Sequence, residues 1–132
     1  MAMDMTDPGL ALPKGSSKLA RAIAGKAARL EDKKQLRIWA DAVKDRDRWT
    51  DRKTGVRVRK TRQLDPLRAE AHHIEPKENP DTRYDIRNGI TLALHTHELV
   101  THNHYRIEGT VWFYVRGRKY IDGTYPVLFV RI

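Results

Sequence analysis

All six histidines of this chain fall within one quarter of its length, between His72 and His104, and the chain has no cysteine. Imidazole is the commonest metal ligand in proteins and the side chain best placed to move protons near neutral pH. Without cysteine, disulfides and thiolate metal sites are excluded, so a metal ion must be held by His, Asp, Glu, Asn or water. This distribution predicts a functional site within the histidine-rich segment.

The length of 132 residues suits one domain with an apolar core rather than two. Residues 1–15 are polar and aperiodic, which predicts a disordered tail followed by a single domain over 16–132. The formal net charge of +9 favours a polyanionic partner such as nucleic acid. A positive charge of this size, however, is also typical of soluble basic proteins and by itself indicates no catalytic chemistry.

Neither a membrane span nor a secretory signal is predicted. No run approaches the roughly 18 to 20 apolar residues that cross a bilayer. The N-terminus lacks the basic start and apolar stretch of a signal peptide. We therefore expect no membrane partner and a location in the cytoplasm of a bacterial or phage-infected cell.

The first third of the domain has helical patterns. Ser16 and Ser17 are candidates to cap a helix that begins at Lys18. A second helix is predicted over 32–45. It rests on apolar residues at the spacing that buries one stripe of a helix, namely Leu36, Trp39, Ala40 and Val43.

The rest of the chain predicts strands around one further helix. Strands are expected over 56–60 and 67–74, and Thr96 is expected to cap a helix with Glu98 in its first turn. Period-two patterns and aromatic residues predict a terminal β-meander over 110–115, 119–121 and 126–130. The fold class is therefore α+β, with helices first and antiparallel strands last.

The predicted strand over 67–74 delivers two adjacent histidines, His72 and His73. Successive side chains of a regular strand point to opposite faces, so these two imidazoles cannot easily bind the same metal ion. They can divide the work, one as a ligand and the other as a base. His97, on the predicted helix, is the candidate for the opposing ligand.

Three segments of this region resemble the HNH endonucleases. They are Ala69-Glu-Ala-His72-His73-Ile74-Glu-Pro76, Asp85-Ile-Arg-Asn88-Gly-Ile-Thr-Leu92, and Thr96-His97. The resemblance covers residues 67–102 well and 36–104 more loosely. It implies a ββα-metal core at about 67–104, in which two antiparallel strands pack on a helix and one divalent cation lies between them.

The resemblance also implies a role for each residue. His72 and His97 are the implied metal ligands, His73 the general base, and Asn88 the residue that orients the loop beside the base. The implied activity is hydrolysis of DNA phosphodiester bonds, double-stranded DNA being the expected substrate, with one cation on the leaving 3′ oxygen. Mg²⁺, Mn²⁺, Ni²⁺ and Zn²⁺ all remain candidates.

The chain departs from the family pattern at two places. Many members carry Cys-x-x-Cys pairs that bind a structural zinc ion, whereas Ala93 and Thr96 stand there in this chain, so we expect no structural zinc. A third ligand usually lies four residues after the helix histidine, at Thr101 here. His102, one residue further, is the candidate, and water or phosphate is the alternative. His95 and His104 are not expected to be ligands.

Basic residues around the predicted site are candidates to contact phosphates. The first set is Lys77, Arg83 and Arg87, and the second is Arg57, Arg59, Arg62 and Arg68. Two other interpretations stay open. One is a non-catalytic basic nucleic-acid-binding module with a structural histidine cluster, and the other is a toxin nuclease domain neutralised by an acidic inhibitor protein.

Overall fold

The computed structural model describes residues 17–132, which contain two α-helices, one short 3-10 turn and six β-strands. The mixed helix and antiparallel strand content agrees with the predicted α+β class. The predicted tail over 1–15, and Ser16, lie outside the described residues. In chain order the elements are α1 (Lys18–Arg46), β1 (Ala69–His73), η1 (Ile86–Asn88), β2 (Gly89–Ala93), α2 (Leu94–Thr101), β3 (Tyr105–Glu108), β4 (Trp112–Val115), β5 (Arg118–Ile121) and β6 (Leu128–Arg131).

Helix α1 is one continuous helix of 29 residues, so the prediction of two separate helices is wrong. Ser17 does cap its start, because its Oγ accepts a hydrogen bond from the Ala20 amide at 3.0 Å. The segment around residue 32 consists largely of strong helix formers, and the Gln35 side chain donates to Glu31 one turn away at 2.8 Å. These local interactions carry the helix through the predicted boundary.

Contacts divide the chain within α1 into two compact units, Met1–Arg37 and Ile38–Ile132. In the described part of the first unit, the apolar side chains Leu19, Ile23 and Leu30 are exposed. In the second unit, Trp39 and Val43 of α1 are buried. None of the helices in the described residues is both long enough and apolar enough to span a membrane.

Strands β1 and β2 form an antiparallel pair, with Ala69 opposite Ala93 and His73 opposite Gly89. Helix α2 follows β2 without a loop. Thr96 is not its N-cap as predicted, but a buried residue within its first turn, and Glu98 lies beyond that turn. The reason is tertiary: the amides of Leu94 and His95 donate to the carbonyls of Arg68 and Pro66, at 2.8 Å and 3.0 Å, and need no side-chain cap.

The C-terminal strands do not form the predicted meander. Strands β4 and β5 pair around the predicted Arg116-Gly117 turn. Strand β6 pairs instead with β3, a strand that the sequence did not predict. Residues of β3 and β6 pack against the core of the β1–β2 pair and α2, which brings these distant strands together. That apolar cluster comprises Ile90, Leu92 and Val100, with Ile74, Tyr105, Ile107 and Phe129 packed against it.

The segment over 56–60 makes isolated bridges rather than the predicted strand. Arg57 bridges to Thr50, and Arg59 bridges to Arg68 just before β1. Val58, the buried residue of this segment, belongs to a second apolar cluster with Ala69 and Ala93. Trp49 and Leu67 pack against that cluster. Ala93, one of the two positions without the cysteine that the HNH pattern would have there, thus lies in an apolar contact.

Candidate functional site

The alternation of β1 sends its two histidines to opposite faces of the β1–β2 pair. Glu70 and His72 face α2, where His72 meets His97. His73 faces α1, where its ring stacks on Trp39 with ring centroids 3.8 Å apart and an interplanar angle of 12°. The two faces provide two different chemical environments at one end of the strand.

The rings of His72 and His97 meet edge to face, with His97 Nε2 at 3.1 Å from His72 Nδ1. Burial, together with the nearby imidazoles of His97 and His73, lowers the pKa of His72 to about 4. His72 is therefore neutral at neutral pH. A neutral imidazole has the lone pair that a metal ligand requires.

Glu70, for which the sequence predicted no role, lies beside the histidine pair. Its Oε1 lies 3.6 Å from His97 Nδ1, the ring nitrogen turned away from His72, and its Oε2 accepts from Arg68 Nε at 3.1 Å. A carboxylate behind a ligating histidine is a common outer partner in metal sites, because it orients the ring. Glu70 lies two residues before His72 on the same strand, so the two side chains share a face, and this spacing is the sequence signal for its position.

The donor set fits a cation bound by two protein ligands. Tetrahedral coordination with metal–nitrogen bonds of about 2.05 Å separates two ligand nitrogens by roughly 3.3 Å, close to the spacing of His72 and His97. Within residues 17–132, no three His, Asp or Glu side chains converge as a ligand group. A cation at this pair would take its other ligands from water or phosphate oxygens, or from residues outside 17–132.

His102 does not join this pair. It is the exposed C-cap residue of α2, and its amide donates to the Glu98 carbonyl at 2.9 Å. His95 and His104 are likewise exposed. The six histidines thus separate into two that face each other, one stacked on Trp39 and three at the surface.

His73 is held in one orientation and one tautomer. Its Nε2 lies 2.9 Å from the Arg83 carbonyl oxygen, which can only accept, so Nε2 carries the proton and Nδ1 has the free lone pair. Burial lowers the pKa of His73, the charges of Arg83 and Lys77 add to this, and the bond to the carbonyl partly opposes it. Trp39 is itself fixed, because its Nε1 donates to the Asp85 carbonyl at 2.8 Å.

Asn88 is fully buried and closes the loop that leads from β1 to η1. Its Oδ1 accepts from the Glu75 amide at 2.7 Å, and its Nδ2 donates to the carbonyls of Glu75 and Thr82, at 3.0 Å and 3.2 Å. Arg83, whose carbonyl holds His73, directly follows Thr82. Asn88 therefore positions the loop against the His73 ring.

The three basic residues predicted to contact phosphates beside the histidines differ in how many contacts they make within the protein. Lys77 is exposed, and Arg83 donates to the Lys77 carbonyl at 2.7 Å. Arg87 pairs with Asp85 through two nitrogens, at 3.0 Å and 2.7 Å, and lies 4.2 Å from the centre of the Phe113 ring. Lys77 thus has the greatest freedom to meet a phosphate, while Arg87 also has a structural role.

Two aspartates that the sequence did not predict hold β2 in place: Asp51 is buried, and Asp47 has a largely covered side chain. Asp47 accepts from the Thr91 amide at 2.9 Å and pairs with Arg46 and Arg52. Asp51 accepts from the Ala93 amide, also at 2.9 Å. The sequence around them carries no local signal for these roles, because the amides of Thr91 and Ala93 lie more than forty residues away in the chain.

Comparison with known proteins identifies no family model, no curated protein and no solved structure that matches this chain. The geometry of the histidines and the local resemblance of residues 67–102 to a known pattern are therefore the two features of this chain that indicate a function.

Proposed function

We propose that this protein is a metal-dependent HNH endonuclease that hydrolyses DNA phosphodiester bonds. The observation that carries the proposal is the facing pair of His72 on β1 and His97 on α2, beside a His73 ring with a defined tautomer. The order of β1, β2 and α2, with the two imidazoles between strand and helix, fits a ββα-metal arrangement. The net charge of +9 suits a DNA substrate.

In this proposal each side chain has one task. His73 Nδ1 removes a proton from the water that attacks phosphorus in line, while Trp39 and the Arg83 carbonyl keep the ring oriented. Asn88 positions the loop that carries that carbonyl. His72 and His97 hold one divalent cation, which when bound supplies positive charge to the phosphate and the leaving 3′ oxygen.

The substitution His73→Ala tests the assignment of the base. We expect nicking of supercoiled plasmid to fall by about 10²- to 10⁴-fold, the usual contribution of a general base, while metal and DNA binding persist. His95→Ala, at an exposed histidine of the same region, is the matched control and should cleave normally. Failure of the wild-type protein to nick plasmid with Mg²⁺, Mn²⁺, Ni²⁺ or Zn²⁺ would exclude the nuclease.

A second candidate function is a non-catalytic basic module in which the histidines are structural. It is favoured by the direct 3.1 Å contact between His72 and His97 and by the absence of a three-ligand group among the described residues. Calorimetric titration with Zn²⁺ or Ni²⁺ separates the two functions. The nuclease function requires metal binding that the substitutions His72→Ala and His97→Ala abolish, whereas the non-catalytic module requires no metal binding.

A further inference from the structure

A second candidate site lies where α1 ends, apart from the histidines. An open cleft of about 380 Å³ is lined by Asp45, Trp49, Arg57, Val58 and Lys60. Its volume falls within the range of small-molecule sites. The proposed chemistry uses none of these residues.

The indole of Trp49 forms a fixed wall of this cleft. Trp49 packs against the cluster that contains Val58, and its Nε1 donates to Asp45 Oδ1 at 2.9 Å. Arg48 and Trp49 both have left-handed backbone conformations, with φ values of 55° and 53°, which are uncommon outside glycine. The Trp49 amide donates to the Lys44 carbonyl at 2.9 Å, so this turn is tied to the end of the helix.

The ring has one carboxylate beside it, that of Asp45 at the indole nitrogen, and three basic side chains around it. The ammonium groups of Lys44 and Lys60 lie 5.6 Å and 5.5 Å from the Trp49 ring centre, and the exposed Arg57 completes the lining. Cation–π contacts at such distances are weaker than stacking of a nucleobase on an aromatic ring. A base can therefore displace the flexible lysines, whose charges then remain beside its phosphates.

We infer that this cleft is a nucleotide subsite, which stacks an unpaired base of a single-stranded nucleic acid on Trp49 and binds the flanking phosphates through Lys44, Arg57 and Lys60. The combination of an aromatic platform and a basic groove is how proteins bind single strands without sequence readout. A paired base is already stacked in its duplex, so the ligand is unpaired. This subsite does not depend on cleavage at the histidines, and it is measurable in EDTA.

The test compares two fluorescent ligands of equal phosphate number, a short oligothymidylate and an abasic strand, by anisotropy in EDTA. The wild-type protein should bind oligothymidylate more tightly than the abasic strand. Trp49→Leu keeps an apolar side chain against Val58, and should weaken oligothymidylate binding by roughly 5- to 150-fold while leaving abasic binding unchanged. Trp49→Phe should restore most of the preference.

Charge reversal provides a second measurement that does not alter the packed ring. Lys60→Glu combined with Arg57→Glu should weaken both ligands by a similar factor, because it removes phosphate contacts. Arg131→Glu combined with Lys26→Glu, at exposed sites outside the cleft lining, is the charge-matched control and should weaken binding less. Equal wild-type affinity for the two ligands, or an unchanged preference in Trp49→Leu, would overturn the inference.

Discussion

At the scale of single residues, Asn88 is the side chain on which the loop beside His73 depends. Replacing Asn88 by Ala removes three hydrogen bonds and leaves backbone groups of the half-buried Glu75 and the buried Thr82 without this partner. We expect the free energy of unfolding to fall by about 2 to 4 kcal/mol, measured by urea denaturation.

The control for Asn88 is a second asparagine, Asn103, which is exposed and has a φ of 61°. Glycine adopts this conformation without strain, so Asn103→Gly should change stability by less than about 0.5 kcal/mol. An Asn88→Ala protein as stable as the wild type would show that other contacts hold the loop.

Glu70 provides a residue-scale test of the proposed metal site. Removal of a carboxylate behind a ligating histidine typically costs about 10- to 100-fold in metal affinity. We expect Glu70→Ala to weaken Zn²⁺ or Ni²⁺ binding by this factor in calorimetric titration, because His97 loses its outer partner.

Glu98→Ala is the matched control for Glu70→Ala. It removes the same charge from an exposed position next to His97 in the chain, without removing the carboxylate near His97 Nδ1. Metal affinity should then stay close to that of the wild type. Equal losses in both variants would mean that general charge, and not ring orientation, sets the affinity.

At the scale of elements, β2 lies very close to α1 at Gly89. A Cβ atom added there would lie 2.5 Å from Val43 Cγ2 and 2.6 Å from Trp39 Cζ2, both within the packed interior. Gly89→Ala should therefore lower the free energy of unfolding by about 1 to 3 kcal/mol, measured by urea denaturation.

The matched control for Gly89 is a second glycine, Gly25, inside α1. A Cβ atom there meets only the flexible end of the Arg29 side chain, at 3.3 Å. Gly25→Ala should raise helicity by circular dichroism, since alanine is favoured over glycine in a helix by roughly 0.5 to 1 kcal/mol. Destabilisation of similar size in both variants would exclude close packing at Gly89 as the cause.

At the scale of the whole molecule, Asp47 links three distant parts of the second unit. Its carboxylate accepts from Thr91 on β2, and its partner Arg52 donates to the carbonyls of Gly123 and Tyr125. Burial alone would raise the pKa of Asp47, but the hydrogen bond and charge of Arg46, the Thr91 amide and Arg52 together lower it below its usual value.

The lowered pKa of Asp47 predicts a dependence of stability on pH. A depressed carboxyl pKa stabilises the folded state at neutral pH, and this stabilisation is lost as the pH falls below 3.8 through the folded-state value. Asp47→Asn should thus be less stable than the wild type at pH 7, with a difference that shrinks as the pH falls below 3.8.

The control for Asp47 is Asp41→Asn, at an exposed position of α1, which should leave the urea midpoint nearly unchanged at both pH values. A gap between Asp47→Asn and the wild type that stays constant down to the acid transition would contradict a role for the ionised carboxylate.

Much of the local organisation was predictable from sequence patterns. The alternation at His72 and His73 predicted opposite faces, and the Arg116-Gly117 turn was placed correctly between two strands. Each of these predictions depends on residues only a few positions apart, where backbone geometry determines which side chains share a face.

What the tertiary structure decided was which distant residues meet. The pairing of β6 with β3, the carboxylate of Glu70 behind His97, and the backbone hydrogen bonds that begin α2 all join segments far apart in the chain. Many partners satisfy the same local pattern, and the choice among them depends on burial and hydrogen bonding in the complete core. The sequence by itself therefore determined the side chains available for a site, and packing determined their partners.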